Sequence, residues 1–114
     1  IAGTKVLRWE KDSVDQFPIN SLTTVSTHDT ETLAEWLKKE GSYDEIRNIL
    51  FKSHQSTSCY HINLLHEYFP LVPEFSHGER INIPGKVLYS NWRYRYCPSI
   101  EEIQSNEKFT NERN

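Results

Sequence analysis

The sequence predicts an α/β fold built on a parallel sheet, and only a portion of such a fold. Three observations carry this. The order of elements reads strand, loop, strand, three helices, strand, helix, which is the order of parallel strands joined through helices. Apolar residues make up 36% of the 114 positions, and mean hydropathy is -0.71. Self-contained domains use roughly 45–50% apolar residues. An open parallel sheet needs cover on both faces, and two or three strands of this kind bury too little alone. The chain has no methionine and starts at Ile1, which adds to the expectation of a piece from a longer protein. Leu, Ile, Val and Phe still fill 28 of 114 positions, so disorder is excluded.

Residues 4–10 read as a short strand, with Val6 and Leu7 adjacent instead of alternating, as in a strand covered on both faces. Residues 11–20 are polar around Pro18 and read as loop. A second β-branched run spans 21–27 and passes at His28-Asp29 directly into a helix. Leu33, Trp36 and Leu37 share one face of that helix, and Gly41 is its expected stop. Ser42 with Glu45 forms a capping box for the next helix, lined by Ile46, Ile49 and Leu50. Ile62, Leu65 and Phe69 predict a third helix over 59–69, ended by Pro70. Residues 80–83 alternate like a strand before a Pro84-Gly85 turn, and 92–96 read as a strand or an extended surface segment. Ser99 with Glu102 caps a short terminal helix. The predicted division is 1–104 as the structured part and 105–114 as a flexible tail, since those ten residues hold one aromatic among many charges.

Net charge is -3, from 13 basic and 16 acidic side chains with no block of one sign. That excludes the electrostatic footprint of a nucleic-acid binder or a polybasic membrane patch. No apolar run approaches the roughly 18–20 residues that span a bilayer. Cys59 and Cys97 are too few for a disulfide framework and lack metal-ligand spacing, so a reducing, cytoplasmic compartment is expected.

Thr27-His28-Asp29 stands where a strand hands over to a helix. In parallel α/β folds that is the end of the sheet where sites are built. A carboxylate and an imidazole there can grip sugar hydroxyls or stabilise positive charge. The competing role is local: Asp29 or Thr30 is a good N-cap, and aspartate near a helix start is favoured in any case. His54, Cys59, His61 and His66 invite a metal reading. His61 and His66, five apart, do not share a helix face, so no metal site is expected. Asn91-Trp92-Arg93-Tyr94-Arg95-Tyr96 can stack on sugars or pack structurally, and the residues alone leave both open.

Taken in order, four phrases resemble the C-terminal part of the 4-α-glucanotransferases, the amylomaltases of glycoside hydrolase family 77. They are Lys5-Val6-Leu7-Arg8-Trp9-Glu10, Thr23 through Thr30, Glu79-Arg80-Ile81-Asn82-Ile83-Pro84-Gly85, and Asn91-Trp92-Arg93-Tyr94-Arg95. His61-Ile62-Asn63-Leu64-Leu65 also looks like a helix of that family. The resemblance covers residues 4–103. It implies the last strands of a (β/α)8 TIM barrel, incomplete on its own, from an enzyme that moves a segment of an α-1,4-glucan to another sugar with retention. Retention needs a nucleophilic carboxylate and an acid/base carboxyl about 5–5.5 Å apart. The resemblance places both upstream of Ile1, and Glu10 matches neither motif. It assigns Asp29 as the third catalytic carboxylate, which holds hydroxyls and favours the oxocarbenium-like transition state. His28 is its substrate-binding neighbour, and Asn82, at the end of the last strand, points to the same cleft. An α-1,4-glucan or maltooligosaccharide is the implied partner, along with the missing N-terminal part of the barrel. Neither a metal nor an organic cofactor is expected. The rival reading is a small independent α/β interaction module in which Asp29 only caps a helix.

Overall fold

The computed structural model of the chain describes residues 2–39, 42–76 and 79–113; the expected helix stop at Gly41 lies outside them. Three short strands form one parallel sheet in the order β1 (Thr4–Val6), β2 (Leu22–Thr24), β3 (Tyr60–His61). Thr4, Lys5 and Val6 pair with Leu22, Thr23 and Thr24, while Leu22 and Thr23 pair with Tyr60 and His61. Parallel pairing demands crossovers of a dozen or more residues. The first carries only 3₁₀ turns at Leu7–Trp9 and Val14–Gln16. The second carries helices α1 (Leu33–Lys39) and α2 (Tyr43–His54). β2 is central and dry: Thr23, Thr24 and the following Val25 are buried.

The core lies where both helices meet the end of β2. Leu33 of α1 and Ile46 and Leu50 of α2 pack with Val25, Phe69 and Val72. Ser42 caps α2 by accepting from the Glu45 amide at 3.3 Å. Ser99 and Glu102 complete a reciprocal capping box on α3 (Ile100–Ser105). Gly85, at φ 77°, takes the left-handed position of the Pro84–Gly85 turn, which a side chain would strain.

Several expectations are corrected. The first strand ends at Val6, because the chain turns into a 3₁₀ helix at Leu7–Trp9. The second run pairs only through Thr24, and α1 begins at Leu33 after an intervening turn. No α-helix covers 59–69, nor do residues 61–65 form one. Tyr60–His61 is captured as a strand by β2, and a 3₁₀ helix follows at Leu65–Leu71 with Pro70 inside it. Residues 80–83 join no strand and take no regular secondary structure, and the same holds for 93–96, while Trp92 lies in a turn.

The expected flexible tail is helical instead. Beyond α3, α4 (Glu107–Arg113) places Phe109 in the core at 1% exposure, against Phe69 and Phe75 at 5.9 and 5.7 Å between ring centroids. A single large ring suffices, since burying it outweighs the polarity of its neighbours. Phe109→Ala is therefore expected to cost about 3–5 kcal/mol in chemical denaturation, where a substitution in a loose tail costs under about 0.5.

Burial holds the His61 and His66 imidazoles below their ordinary range. The unfolded chain takes up those protons more readily, so their contribution to stability is present above about pH 6.5 and is lost as the pH falls below it. Burial of Glu67 raises its pKa, and its contribution declines instead as the pH rises above the usual carboxylate range. Denaturation of wild type and His61→Gln at pH 7.5 and 5.5 separates the two. The wild type should lose more stability on acidification than the variant.

Candidate active site

The chain leaves β2 through a turn anchored on itself. The Thr27 amide donates to Thr30 Oγ1 at 2.8 Å, and the Thr30 amide returns to the Thr27 carbonyl at 3.2 Å. His28 and Asp29 form the crest of this turn, with side chains 56% and 46% exposed. They face the segment 80–83, and Asn82 makes two contacts across the seam, beside a third within the turn. The Asn82 amide donates to the His28 carbonyl at 3.2 Å. Asn82 Nδ2 donates to Asp29 Oδ1 at 2.7 Å, and His28 Nε2 lies 3.3 Å from Asp29 Oδ2. The three residues singled out in the sequence thus meet at one point, although Asn82 follows Asp29 by 53 positions. Contrary to expectation, Asn82 does not end a strand; its segment, 80–83, has no regular secondary structure and lies across the turn.

Asp29 is not a helix cap. Thr32 Oγ1 accepts from the Glu35 amide at 3.2 Å and the Thr32 carbonyl accepts from Trp36, which makes Thr32 the N-cap of α1. Among the described contacts the Asp29 carboxylate meets only side chains, those of Asn82 and His28. A carboxylate has roughly four lone-pair sites, so its exposed face keeps acceptor capacity for hydroxyl donors.

Arg80 fixes the seam. Its guanidinium reaches the Asp29 carbonyl at 3.2 Å, the Asn82 carbonyl at 3.0 Å and Glu35 of α1 at 2.9 Å. Glu35 also lies 3.8 Å from Lys39, and Lys39 bonds Glu31 at 2.7 Å, which lowers the Glu31 pKa. Arg8, just after β1, donates to the Glu31 carbonyl. The carboxyl-terminal sides of β1 and β2 are tied together in this way.

Trp92 stands beside His28 with ring centroids 5.2 Å apart and is 64% exposed. Its φ of 64° lies in the left-handed region, which costs a non-glycine residue roughly 1–2 kcal/mol. The Trp92 amide, bonded to the Ile81 carbonyl at 2.8 Å, holds it there. Asn91 helps by accepting from the Ile83 amide at 3.1 Å and donating to the Lys86 carbonyl at 3.0 Å. The aromatic run divides its work. Tyr96 packs on Phe69 at 5.0 Å and Tyr94 on His66 at 5.4 Å, while Trp92 faces outward at the seam. Sequence reasoning overlooked Arg80 and could not assign Trp92, because both depend on contacts between distant segments.

The seam is an open rim. A separate cavity of about 330 Å³, lined by Leu7, Arg8, Asp12, Ile49, Lys52 and Gln55 among others, lies on the α2 side and does not reach His28, Asp29 or Asn82. Among the described residues no three His, Cys, Asp or Glu side chains group as metal ligands. His54 and His61 do meet, at 4.5 Å between rings, but their nitrogens bond Tyr68 and Ser53.

The family model of the 4-alpha-glucanotransferases, glycoside hydrolase family 77, matches residues 1–100. The chain belongs to that family. A 4-alpha-glucanotransferase of Chlamydia muridarum is 33% identical over 95% of this chain, and one of Chlamydia pneumoniae is 36% identical over 96%. This chain spans only 26% of the length of either glucanotransferase. Its fold matches part of the amylomaltase from Streptococcus agalactiae in complex with acarbose, with a TM-score of 0.68 at 15% identity, over 97% of this chain and 26% of that one. The rival reading of an unrelated interaction module is set aside by these matches.

The caps make a direct test of the local geometry. Thr32→Ala should cost about 0.5–2 kcal/mol of stability through loss of the α1 cap. Asp29→Ala should stay within about 0.5 kcal/mol, because it removes only exposed side-chain contacts. Denaturation curves of the two variants rank them.

Proposed function

We propose that this chain forms the last strands of a (β/α)8 barrel in a 4-alpha-glucanotransferase. The whole protein would transfer a segment of an α-1,4-glucan, of the maltodextrin or glycogen type, to the 4-hydroxyl of a glucose or glucan acceptor. The observation that carries the reading is the Asp29 carboxylate, half exposed beyond the carboxyl end of a parallel strand and free of any capping duty. Family membership supports it, and so do the two outer sheet edges, which pair with nothing among the described residues. Exposed Trp9, Ile19, Ile62 and Val87 suit burial against the rest of such a barrel.

In this reading the transfer is a retaining double displacement. The nucleophile and the acid/base carboxyl belong to parts of the protein outside these 114 residues, so the chain alone is inactive. Asp29 accepts hydrogen bonds from two hydroxyls of the distorted sugar, and its negative charge favours the oxocarbenium-like transition state. Asn82, donating to Oδ1, and His28, beside Oδ2, fix the rotamer, and the lone pairs these two leave open accept the hydroxyls. His28 adds a ring nitrogen for a neighbouring hydroxyl. Cys59 and Cys97, both exposed free thiols, accord with a reducing, cytoplasmic setting.

The test is made in the full-length protein that carries this chain. Asp29→Ala should lower kcat for glucose release from maltotriose by about 10²–10³-fold, with the thermal midpoint unchanged. Turnover equal to wild type would remove Asp29 from the reaction.

A further inference from the structure

We propose that Glu67 is the positioning residue of the His28–Asp29 turn, its buried carboxylate holding the two ends of that turn at a fixed separation. The proposal rests on the reading of the turn as a sugar site. Glu67 is remote in sequence, on the 3₁₀ helix Leu65–Leu71, and its side chain is 0% exposed. One oxygen, Oε1, accepts from Ser26 Oγ at 2.5 Å, immediately before the turn. The other, Oε2, accepts from the Leu33 amide at 3.0 Å, at the first residue of α1. The segment 26–33 thus starts and finishes on one carboxyl group, and His28 and Asp29 lie between the two attachments.

Nothing about packing alone calls for a carboxyl here. Burying one is costly, and an apolar side chain of the same length would fill the space. His66 is a poor compensating cation: its Nε2 lies 3.5 Å from Oε1, but burial disfavours its charged form. What a carboxyl offers is two hydrogen-bonding oxygens about 2.2 Å apart in a rigid plane. Burial raises the Glu67 pKa. The protonated form holds the turn equally well, since its hydroxyl donates to Ser26 Oγ while the other oxygen still accepts from Leu33. A glutamine can make the same pair of bonds, with its NH₂ donating to Ser26 and its carbonyl accepting from Leu33. A methionine fills the volume and makes neither.

That difference supplies the experiment, in the full-length protein that carries this chain. Glu67→Met, Glu67→Gln and Ser26→Ala are compared for kcat and KM in glucose release from maltotriose, and for the His28 imidazole signals in histidine-labelled NMR spectra. Loosening a reacting group by about 1 Å costs on the order of 10²-fold. Glu67→Met should therefore lower kcat by about 10²-fold with KM within about threefold. Ser26→Ala, which cuts one attachment and keeps the carboxyl, should lower it by about tenfold and serves if the Met variant does not fold. Both should move the His28 signals. Glu67→Gln should restore kcat to within about threefold and leave the signals in place. Variants that lose thermal stability while kcat and the His28 signals stay as in wild type would overturn the proposal, as would a Gln variant as slow as the Met one. Wild-type protein without glucan transfer would instead refute the sugar-site reading, and the His28 signals would still decide the role of Glu67.

Discussion

Central strand β2 is hydrogen-bonded on both edges for only a few residues, and the way its carboxyl end is then satisfied sets the geometry above it. Past Thr24 the ladder runs out, yet Val25 and Ser26 remain buried and need partners. Asn63 supplies one by accepting from the Val25 amide at 3.1 Å, a side chain standing in for a strand that has ended. Ser26 turns to Glu67. With its polar groups consumed below, the chain can rise out of the sheet and fold back at Thr27–Thr30, carrying His28 and Asp29 into solvent. Both helices of the second crossover pack beneath that exit, so the core and the crest of the turn are fixed by the same few residues.

Opposite the turn, segment 80–83 is held by side chains and scattered amides instead of a ladder. Arg80 does most of this by bonding two carbonyls and Glu35 together, so that the seam is anchored to α1. The arrangement leaves Asn82 free to point its amide at Asp29. It also keeps the left-handed Trp92 next to His28. Strain of this kind persists only where surrounding bonds outweigh it, and here Asn91 and the Ile81 carbonyl supply them.

How much was legible in the sequence follows from the range of each interaction. Local devices were readable: the Ser42 cap, the Ser99–Glu102 box, the Pro84–Gly85 turn and the parallel order of the first two strands. Tyr60–His61 was not, because a two-residue strand exists only through its pairing with β2, and the helical spacing of Ile62, Leu65 and Phe69 masked it. Phe109 gave no periodic signal, since one apolar residue among charges has no period; its place is decided by contact with both Phe69 and Phe75. At the candidate site His28, Asp29 and Asn82 were named from motif resemblance, but their junction was beyond local reading. Glu67 drew no notice within the helix expected over 59–69, and only the fold brings its two oxygens to Ser26 and Leu33.

The account turns on whether the Asp29 carboxylate meets a glucose ring. A crystal structure of the full-length protein soaked with a maltooligosaccharide decides it. The expected density has two hydroxyls of one ring within hydrogen-bonding distance of Asp29, with Asn82 still on the other face of the carboxylate. A sugar bound elsewhere, with Asp29 contacting protein alone, would contradict the account.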